Sequence, residues 1–351
     1  MRFTPDRATS IDLHIHETVR WSRYRETITV LAEAVTNPFD DIDADFWPEG
    51  ATTSHIARML RAHGPELIVV HQHLPTATRL SRSFPKTPVA LVRHNFQKPP
   101  RTPVSRFVKR RQIGRLAEIA FVSDCCRDDF RHNWPAVRTP STVVLNGVDG
   151  ALWQPAPDKD RLVIFVGRLA PEKGALEAAT AMAEVLRGRP GWTGRMIVST
   201  DPGHADYGAR VRDVLAKMPG RIDLMTDVGH DAVRHWMGRA AIALAPTRTR
   251  EPFGRVAIEA MASGAVLIAS ARGGFVEIAG DGAILLDDPD AAPLAAAMAD
   301  LMDDEEKRVR LAAEGRDRVI PRYDLKTAAG TFDALVERHC APGHRMPGPI
   351  R

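Results

Sequence analysis

Two glutamates in the second half of the chain, Glu251 and Glu259, could do chemistry because of the residues around them. Pro252 and Gly254 can turn the chain out of a strand end, and residues 255–263 then have the pattern of a short helix ended by a glycine. The free N–H groups at the start of such a helix are natural partners of a phosphate. The alternative is an ordinary strand–turn–helix with two exposed glutamates.

A second group of candidate residues follows a strand of the buried type, Leu162–Val166. The next loop combines Gly167, Arg168, Lys173 and Gly174 at the start of a helix. Two cations beside the free N–H groups of a helix suit a pyrophosphate. The alternative is a surface loop in which opposite charges four residues apart pair with each other.

The elements that must position these loops alternate between strands and helices along the chain. In the first half, 11–16 alternates like a strand and 21–35 has a helical pattern. Further strands are predicted at 67–70, 89–92, 119–123, 142–145, 162–166, 196–199, 222–225, 242–245, 266–269 and 284–286. Helices are predicted between them, and 294–319 is predicted as one terminal helix. This alternation predicts α/β folding with parallel sheets, which bind ligands at the carboxyl ends of their strands.

The length of 351 residues predicts two domains, since single cores seldom exceed about 250–300 residues. A proline-containing linker begins near Asn146. We therefore expect an N-terminal domain over 1–150, a C-terminal domain over 151–325, and a terminal helix over 326–340 that packs back across the domains. A loose tail is expected over 341–351.

Composition favours a cytoplasmic protein. No apolar run approaches the ~20 residues that span a bilayer, and the first residues lack the pattern of a signal peptide. The cysteines are an adjacent pair, Cys125 and Cys126, and the distant Cys340, a spacing that predicts neither a disulfide framework nor a zinc site.

Positive charge is concentrated between Leu67 and Ala117, where there is no aspartate or glutamate. Within this block, 104–116 could form a helix with apolar residues on one side and cations elsewhere, a pattern typical of binding to an anionic membrane surface. The membrane-facing candidates are Arg106, Lys109, Arg110 and Arg111. The alternative is a solvated helix that packs its apolar side on its own domain. Nucleic acid is not expected as a partner, because no recognition module accompanies the basic residues.

Taken together, the motifs resemble those of the family-four retaining glycosyltransferases of group 1. The matching stretches are 144–149, Val166-Gly167-Arg168 through Lys173-Gly174, 251–254 through 259–264, and Gly273-Gly274 followed by Glu277. This resemblance implies the GT-B fold, in which two Rossmann-like domains with parallel sheets face each other across a cleft. It covers Ser141 to about Glu277 and fades toward the N-terminus.

The resemblance also implies roles for the residues of the second half. Gly167, Arg168 and Lys173 would hold the donor pyrophosphate, and Phe253 with Gly254 would present backbone N–H groups to the sugar or distal phosphate. Glu251 would face the donor sugar, and Glu259 would accept hydrogen bonds from the ribose. A carboxylate is repelled by phosphates, which agrees with the ribose position of Glu259.

Three histidines of the first half are candidates by the same resemblance. His94 ends a strand where the family commonly has a histidine that touches the donor sugar or acceptor, and His71 and His73 resemble a further histidine cluster. The alternative for each is a structural hydrogen bond.

The start of the chain departs from the family pattern. The family usually has a Gly-Gly loop after its first strand, whereas residues 14–20 contain no glycine. Glu17 and the backbone around it are the candidates for replacing that loop on the acceptor side. An Asp-x-Asp pattern is present at Asp41, Asp43 and Asp45. We interpret this segment as a solvated acidic loop and not as a metal site.

We therefore expect a retaining, metal-independent hexosyltransferase that uses a nucleotide sugar, a UDP- or GDP-sugar, as substrate and needs no cofactor. The expected acceptor is a glycan or a lipid-linked molecule in cell-envelope or exopolysaccharide synthesis, at the inner face of the membrane. One alternative is a non-catalytic protein of the same fold that binds sugar nucleotides or acts as a scaffold. The other is a GT-B phosphorylase or epimerase.

Overall fold

The computed structural model describes residues 3–5 and 8–340, so the expected tail at 341–351 lies outside the described residues. The chain forms two compact units. Unit 2 is the stretch Val148–Asp324, and unit 1 consists of the described residues up to Gly147 together with those from Leu325 onward.

Unit 1 contains two parallel sheets. The strands are β1 (Val30–Glu33), β2 (Ala44–Trp47), β3 (Ile68–His71), β4 (Val89–Arg93), β5 (Glu118–Phe121) and β6 (Ser141–Val143). The helices of this part are α1 (Ser10–Trp21), α2 (Thr53–His63), α3 (Leu74–Ser83), α4 (Pro103–Ile113) and α5 (Asp124–Asn133). One sheet pairs β1 with β2, and the other has the order β3-β4-β5-β6.

Unit 2 is built on one sheet of six parallel strands with the order β12-β11-β10-β7-β8-β9. The strands are β7 (Asp160–Arg168), β8 (Thr193–Ser199), β9 (Ile222–Thr226), β10 (Ala240–Ala245), β11 (Val266–Ser270) and β12 (Ile284–Leu286). The helices are α6 (Ala175–Arg187), α7 (Ala205–Leu215), α8 (His230–Arg239), α9 (Arg255–Ala262), α10 (Gly274–Ala279), α11 (Ala291–Asp303) and α12 (Glu305–Tyr323). The chain then returns to unit 1 as α13 (Leu325–His339).

The centre of the unit 2 sheet is apolar on both faces. All six residues of β10 are buried, as expected for a parallel strand covered by helices on both sides. Beside it, β7 contributes the buried run Leu162–Phe165, and α6 packs an alanine-rich face against the same core. These rigid strands end in the loops that carry Lys173 and Glu251.

The first predicted strand was wrong, because residues 11–16 lie in α1. Thr9 and Asp12 form a capping box that starts a helix, and Ile15 and Val19 are buried one turn apart on its inner face. The apolar residues of 11–16 also fit one face of a helix that continues to Val19, so the pattern alone does not distinguish a strand from a helix. The capping box favours the helix.

The helix predicted over 21–35 was also wrong. A single turn of 3-10 helix at Arg25–Thr27 is followed by β1. The β-branched residues 27–30 favour this extended path, because branching at Cβ restricts side chains in a helix. The helix predicted over 294–319 is divided into α11 and α12 at Asp304, whose carboxylate accepts a hydrogen bond from the backbone N–H of Lys307 at 2.8 Å.

A cavity of about 1060 Å³ lies within unit 1 between β1 and β3. Its walls include residues 29–31 beside and within β1, residues 67–71 along β3, and side chains of α1, α2, α3 and α13.

Lys159 gives unit 2 a pH-dependent stability. Its ammonium group donates to the carbonyls of Ala240 at 2.9 Å and Ser263 at 2.5 Å. Burial lowers the pKa of Lys159 to about 7, with a further contribution from the charge of Arg316. An unfolded chain keeps this proton up to about pH 10. Between these values the unfolded state binds more protons, so stability rises with pH.

We expect the free energy of unfolding to rise between about pH 6.5 and pH 9 by about 2 kcal/mol more in the native protein than in Lys159→Met. Urea unfolding at the two pH values, monitored by circular dichroism, measures this difference. Identical pH dependence in the two proteins would contradict the assignment.

Candidate active site

The two predicted cations lie at the end of β7 and just after it: Arg168 is the last residue of the strand, and Lys173 lies on a single turn of 3-10 helix, Pro171–Lys173. Arg168 is exposed, and its Nη2 lies 2.6 Å from Oε1 of Glu172. Gly174 ends the turn with φ of 71°, and a Cβ there would lie 2.1 Å from the carbonyl oxygen of Pro246. Only glycine allows this close approach, which fixes the loop against the end of β10.

Lys173 and Glu251 form an ion pair. Nζ of Lys173 is 2.7 Å from Oε2 of Glu251, and the side chains are 28% and 13% exposed. The two residues come from the loops that follow β7 and β10, which are neighbours in the sheet. The structure therefore brings together two residues that the sequence analysis had singled out separately, and the pairing itself was not predicted.

Gly273 and Gly274 hold the backbone of Glu251. Glu251 and Gly273 form an isolated parallel bridge, and the N–H of Gly274 donates to the carbonyl of Glu251 at 2.8 Å. Gly273 has φ of 69°, and a Cβ at this position would lie 2.1 Å from the Glu251 carbonyl oxygen. The sequence motif included these glycines, but their function in anchoring Glu251 appears only in the structure.

The turn between Glu251 and α9 is shaped by Phe253 and Gly254. The ring of Phe253 is buried and meets Tyr323 edge to face, with ring centroids 5.6 Å apart. Gly254 has φ of 100° immediately before α9, and a Cβ there would lie 2.3 Å from the ring of Phe275. The predicted helix, and the left-handed Gly264 after it with φ of 67°, are confirmed.

Glu259 is buried in α9 and lies between two cationic or ionisable side chains. Its Oε1 is 3.3 Å from Nε of Arg255 and 3.6 Å from Nε2 of His230. Burial alone would raise the pKa of Glu259, but His230 and Arg255 outweigh it and hold the pKa below its ordinary value. The carboxylate is therefore charged at neutral pH and able to accept hydrogen bonds from hydroxyl groups.

Neither partner of Glu259 was predicted from the sequence. Arg255 could have been found, because residues four apart face each other on a helix. His230 begins α8, far away in sequence, and no pattern in the chain indicated it.

The predicted residues of unit 1 are placed in three different ways. His71 and His94 come together, with Nδ1 of His71 3.1 Å from Nε2 of His94. His73 instead caps α3, where its Nδ1 accepts from the backbone N–H of Thr76 at 3.3 Å. The expected loop at Glu17 was wrong: Glu17 lies inside α1, where backbone N–H groups are used by the helix.

The predicted acidic loop was wrong in part, because Asp45 lies in β2, and its three aspartates have separate partners. Asp41 lies 2.6 Å from His16, Asp43 accepts from Thr29, and Asp45 lies 3.2 Å from His63. Among the described residues, one group of three could hold a metal ion, because a ligand atom of each residue lies within 4.8 Å of the others. Its members are His14, His71 and His94.

The basic helix α4 leaves its apolar side exposed. Val104, Phe107 and Val108 are 74%, 58% and 49% exposed, whereas Ile113 at the end of the helix is buried. The expectation of a helix is confirmed, and the alternative in which its apolar side packs on its own domain fails for these three residues. No described helix is long and apolar enough to cross a membrane.

A chain with two parallel α/β units of this kind belongs to the GT-B class of folds. Solved structures of the same fold include Anabaena Alr3699/HepE in complex with UDP-glucose, with a TM-score of 0.79 and 17% identity over 95% of this chain and 98% of that chain. Sucrose-phosphate synthase from Thermosynechococcus elongatus has a TM-score of 0.75 and 19% identity, covering 94% of each chain.

Sequence comparison identifies the family. Residues 14–151 match the model of Glycosyltransferase Family 4, and residues 153–318 match that of Glycosyl transferases group 1. The chain therefore belongs to the group 1, family-four glycosyltransferases, as its motifs predicted.

Two curated relatives show how far the similarity extends. Glycogen synthase of Mycobacterium tuberculosis is 33% identical over 219 residues, which are 59% of this chain and 50% of that protein. The chain thus spans about half the length of that relative. Phosphatidyl-myo-inositol mannosyltransferase of M. tuberculosis is 26% identical over 318 residues, 85% of this chain and 80% of that protein.

We expect Gly273→Ala to destabilise the protein by about 2 kcal/mol or more, because the substitution strains a left-handed residue and pushes a methyl group into the Glu251 carbonyl. Thermal unfolding measures the loss. The matched control is Gly188→Ala, since a Cβ at Gly188 has nothing within 4 Å. Equal effects of the two substitutions would mean that Gly273 does not anchor Glu251.

Proposed function

We propose that this protein is a retaining, metal-independent glycosyltransferase that moves a sugar from a UDP- or GDP-sugar to a glycan or lipid-linked acceptor. The process would be cell-envelope or exopolysaccharide synthesis. The observation that carries the proposal is the Lys173–Glu251 pair at adjacent strand ends, with Arg168 as the last residue of β7 and the charged Glu259 in α9. Structures of the same fold in complex with UDP and UDP-glucose, and relatives named as glycosyltransferases, support the class of donor.

Arg168 and Lys173 would stabilise the leaving nucleoside diphosphate. As the bond from the anomeric carbon to the phosphate oxygen breaks, negative charge grows on that oxygen, and fixed cations lower the energy of the transition state. Lys173 has three N–H donors, so it can contact Glu251 and still offer donors to a phosphate. Free N–H groups at the start of α6 would add to the positive electrostatic potential around the diphosphate.

Glu251 and Glu259 would bind opposite ends of the donor. Glu259 has a charged carboxylate in a buried place, which suits the neutral hydroxyl groups of a ribose better than a phosphate. Glu251 is partly exposed and held in place at its backbone by Gly274 and at its carboxylate by Lys173, so it can orient the hydroxyl groups of the sugar.

Transfer with retention would then proceed on one face of the sugar. The acceptor oxygen forms the new bond to the anomeric carbon on the side from which the phosphate departs, and the acceptor proton passes to the departing phosphate oxygen. This route needs no nucleophile from the enzyme. His94 would contact the sugar or the acceptor.

The first test is the hydrolysis of nucleotide sugars without acceptor. We expect Glu251→Gln and Lys173→Met each to lower the turnover at least about 100-fold, as for other groups that stabilise transition-state charge. Lys173→Met should also weaken binding of the nucleoside diphosphate, whereas Glu251→Gln should retain it. Lys307→Met, which removes an exposed ion pair with Asp300 in the same unit, should leave both unchanged.

Calorimetric titration with UDP and GDP measures binding, and release of free sugar measures turnover. Binding with no turnover, for any donor and in the presence of cell-extract acceptors, would favour a non-catalytic sugar-nucleotide protein. The absence of both binding and turnover for UDP-, GDP- and ADP-sugars would refute the proposal.

We also propose that α4 places the protein on an anionic membrane. The exposed Phe107 lies among basic side chains, and Arg111 stacks over its ring at 5.8 Å. Such a surface can insert an aromatic ring at the level of the headgroups while its cations contact phosphates. A lipid-linked acceptor would be reached from the same surface.

Each basic side chain near an anionic bilayer contributes about 1 kcal/mol, so replacing Lys109, Arg110 and Arg111 by glutamine should lower vesicle binding at least about tenfold. Sedimentation with phosphatidylglycerol vesicles at low salt measures the bound fraction. The control replaces Arg187, Lys217 and Arg310, which are exposed cations of unit 2. Equal losses for the two variants would show a general charge effect, and binding that salt does not weaken would contradict the electrostatic mechanism.

A further inference from the structure

Three histidines of unit 1 converge at the carboxyl ends of β3 and β4. His14 lies on α1, His71 ends β3, and His94 follows β4. One ring nitrogen of each lies within 4.8 Å of those of the other two. The ring centroid of His14 is 4.9 Å from that of His94 and 5.8 Å from that of His71. These residues are far apart in sequence, so only the fold brings them together.

The spacing of the nitrogens suits metal ligation. Tetrahedral zinc binds imidazole nitrogen at about 2.0–2.1 Å, which places neighbouring nitrogens about 3.3 Å apart. His71 Nδ1 and His94 Nε2 are already 3.1 Å apart, in a hydrogen bond that a bound metal ion would replace. A movement of the His14 nitrogen by up to roughly 1.5 Å, from within 4.8 Å of the other two to about 3.3 Å, would complete a three-nitrogen site.

We propose that His14, His71 and His94 form a binding site for one divalent d-block cation of the zinc type. Three imidazoles leave one position of a tetrahedral ion for a small ligand such as water or an anion. Imidazole is a common ligand of zinc, cobalt, nickel and copper, and it is a poor one for magnesium or calcium. The site shares His94 with the residues proposed above to contact the sugar or the acceptor, and it shares none with the donor-binding residues of unit 2.

The surroundings hold the three rings in place. His14 is buried, and His71 and His94 are partly buried at the strand ends. A neutral imidazole offers one nitrogen lone pair to a metal ion, so each ring can supply one ligand atom.

Arg93 is a positively charged neighbour of this site and weakens the binding of a cation. It precedes His94 in β4, and its Nη1 donates to the backbone carbonyl of Gln72. A dication beside this guanidinium is repelled, so we expect the fourth ligand to be an anion such as hydroxide or chloride. Removing the charge in Arg93→Gln should therefore tighten metal binding severalfold.

A bound cation would connect α1 to the ends of β3 and β4. Ligand groups that are brought together only by folding make the binding free energy of the metal part of the folding free energy. The expected effect is a rise in the stability of unit 1, which does not depend on glycosyl transfer.

The experiment titrates the purified full-length protein with Co²⁺, whose visible absorption reports tetrahedral nitrogen ligation, and with Zn²⁺ in competition. We expect one cation per chain and a higher melting temperature with the metal. His14→Ala and His71→Ala should each weaken binding at least about tenfold, since even residues that only support a ligand affect affinity by 10–100-fold. His132→Ala, an exposed histidine on α5, is the matched control.

Circular dichroism without metal checks that each variant is folded, and His14→Gln provides a more conservative change. Binding that persists unchanged in His14→Ala and His14→Gln would assign the cation to other groups, including Cys125 and Cys126, and would overturn the proposal. So would the absence of binding in the native protein. Both readouts are independent of nucleotide sugars, so a failure of the proposed function leaves this result interpretable.

Discussion

The ion pair between Lys173 and Glu251 is the contact on which the candidate site depends. It joins the loops that follow two adjacent strands, and each loop is fixed by a glycine that approaches a carbonyl more closely than a Cβ would allow, Gly174 at Pro246 and Gly273 at Glu251. The charged groups are thus held by backbone contacts that need no ligand. A preorganised cation is more effective than a mobile one, because it does not have to reorganise as charge develops.

The order of strands in unit 2 explains why these loops meet. In a doubly wound sheet the first and fourth strands are neighbours, and here β7 and β10 are the pair whose loops carry Lys173 and Glu251. Their backbone is rigid because the strands are buried on both faces. The same topology places Glu259 one helix later, where α8 supplies His230 to it.

The sequence predicted unit 2 well because its elements have strong patterns: fully apolar strands, a proline or glycine at the loops and an alanine-rich helix. Unit 1 was predicted less well near its start. Alternation over 11–16 could not by itself distinguish a strand from a helix, and the capping box of Thr9 and Asp12 was the stronger local signal. Contacts between distant residues, such as His230 with Glu259 or His14 with His94, have no signature in a single sequence because only the fold creates them.

The cavity between β1 and β3 has a consequence for the cooperativity of unit 1. In the part of the chain that the structure describes, β1 and β2 form a sheet of their own and are not joined by strand pairing to β3. They are held to α1 by side-chain packing, since Val30 and Ala32 of β1 share an apolar cluster with Ile15 and Val19. The end of α1 is in turn joined to α13 where Ser22 donates to Asp333. Side-chain packing alone couples the unfolding of the two sheets less strongly than a continuous ladder of backbone hydrogen bonds would. The β1–β2 pair can therefore open as a partial unfolding unit, and its backbone amides should exchange with solvent sooner than those of β4 and β5.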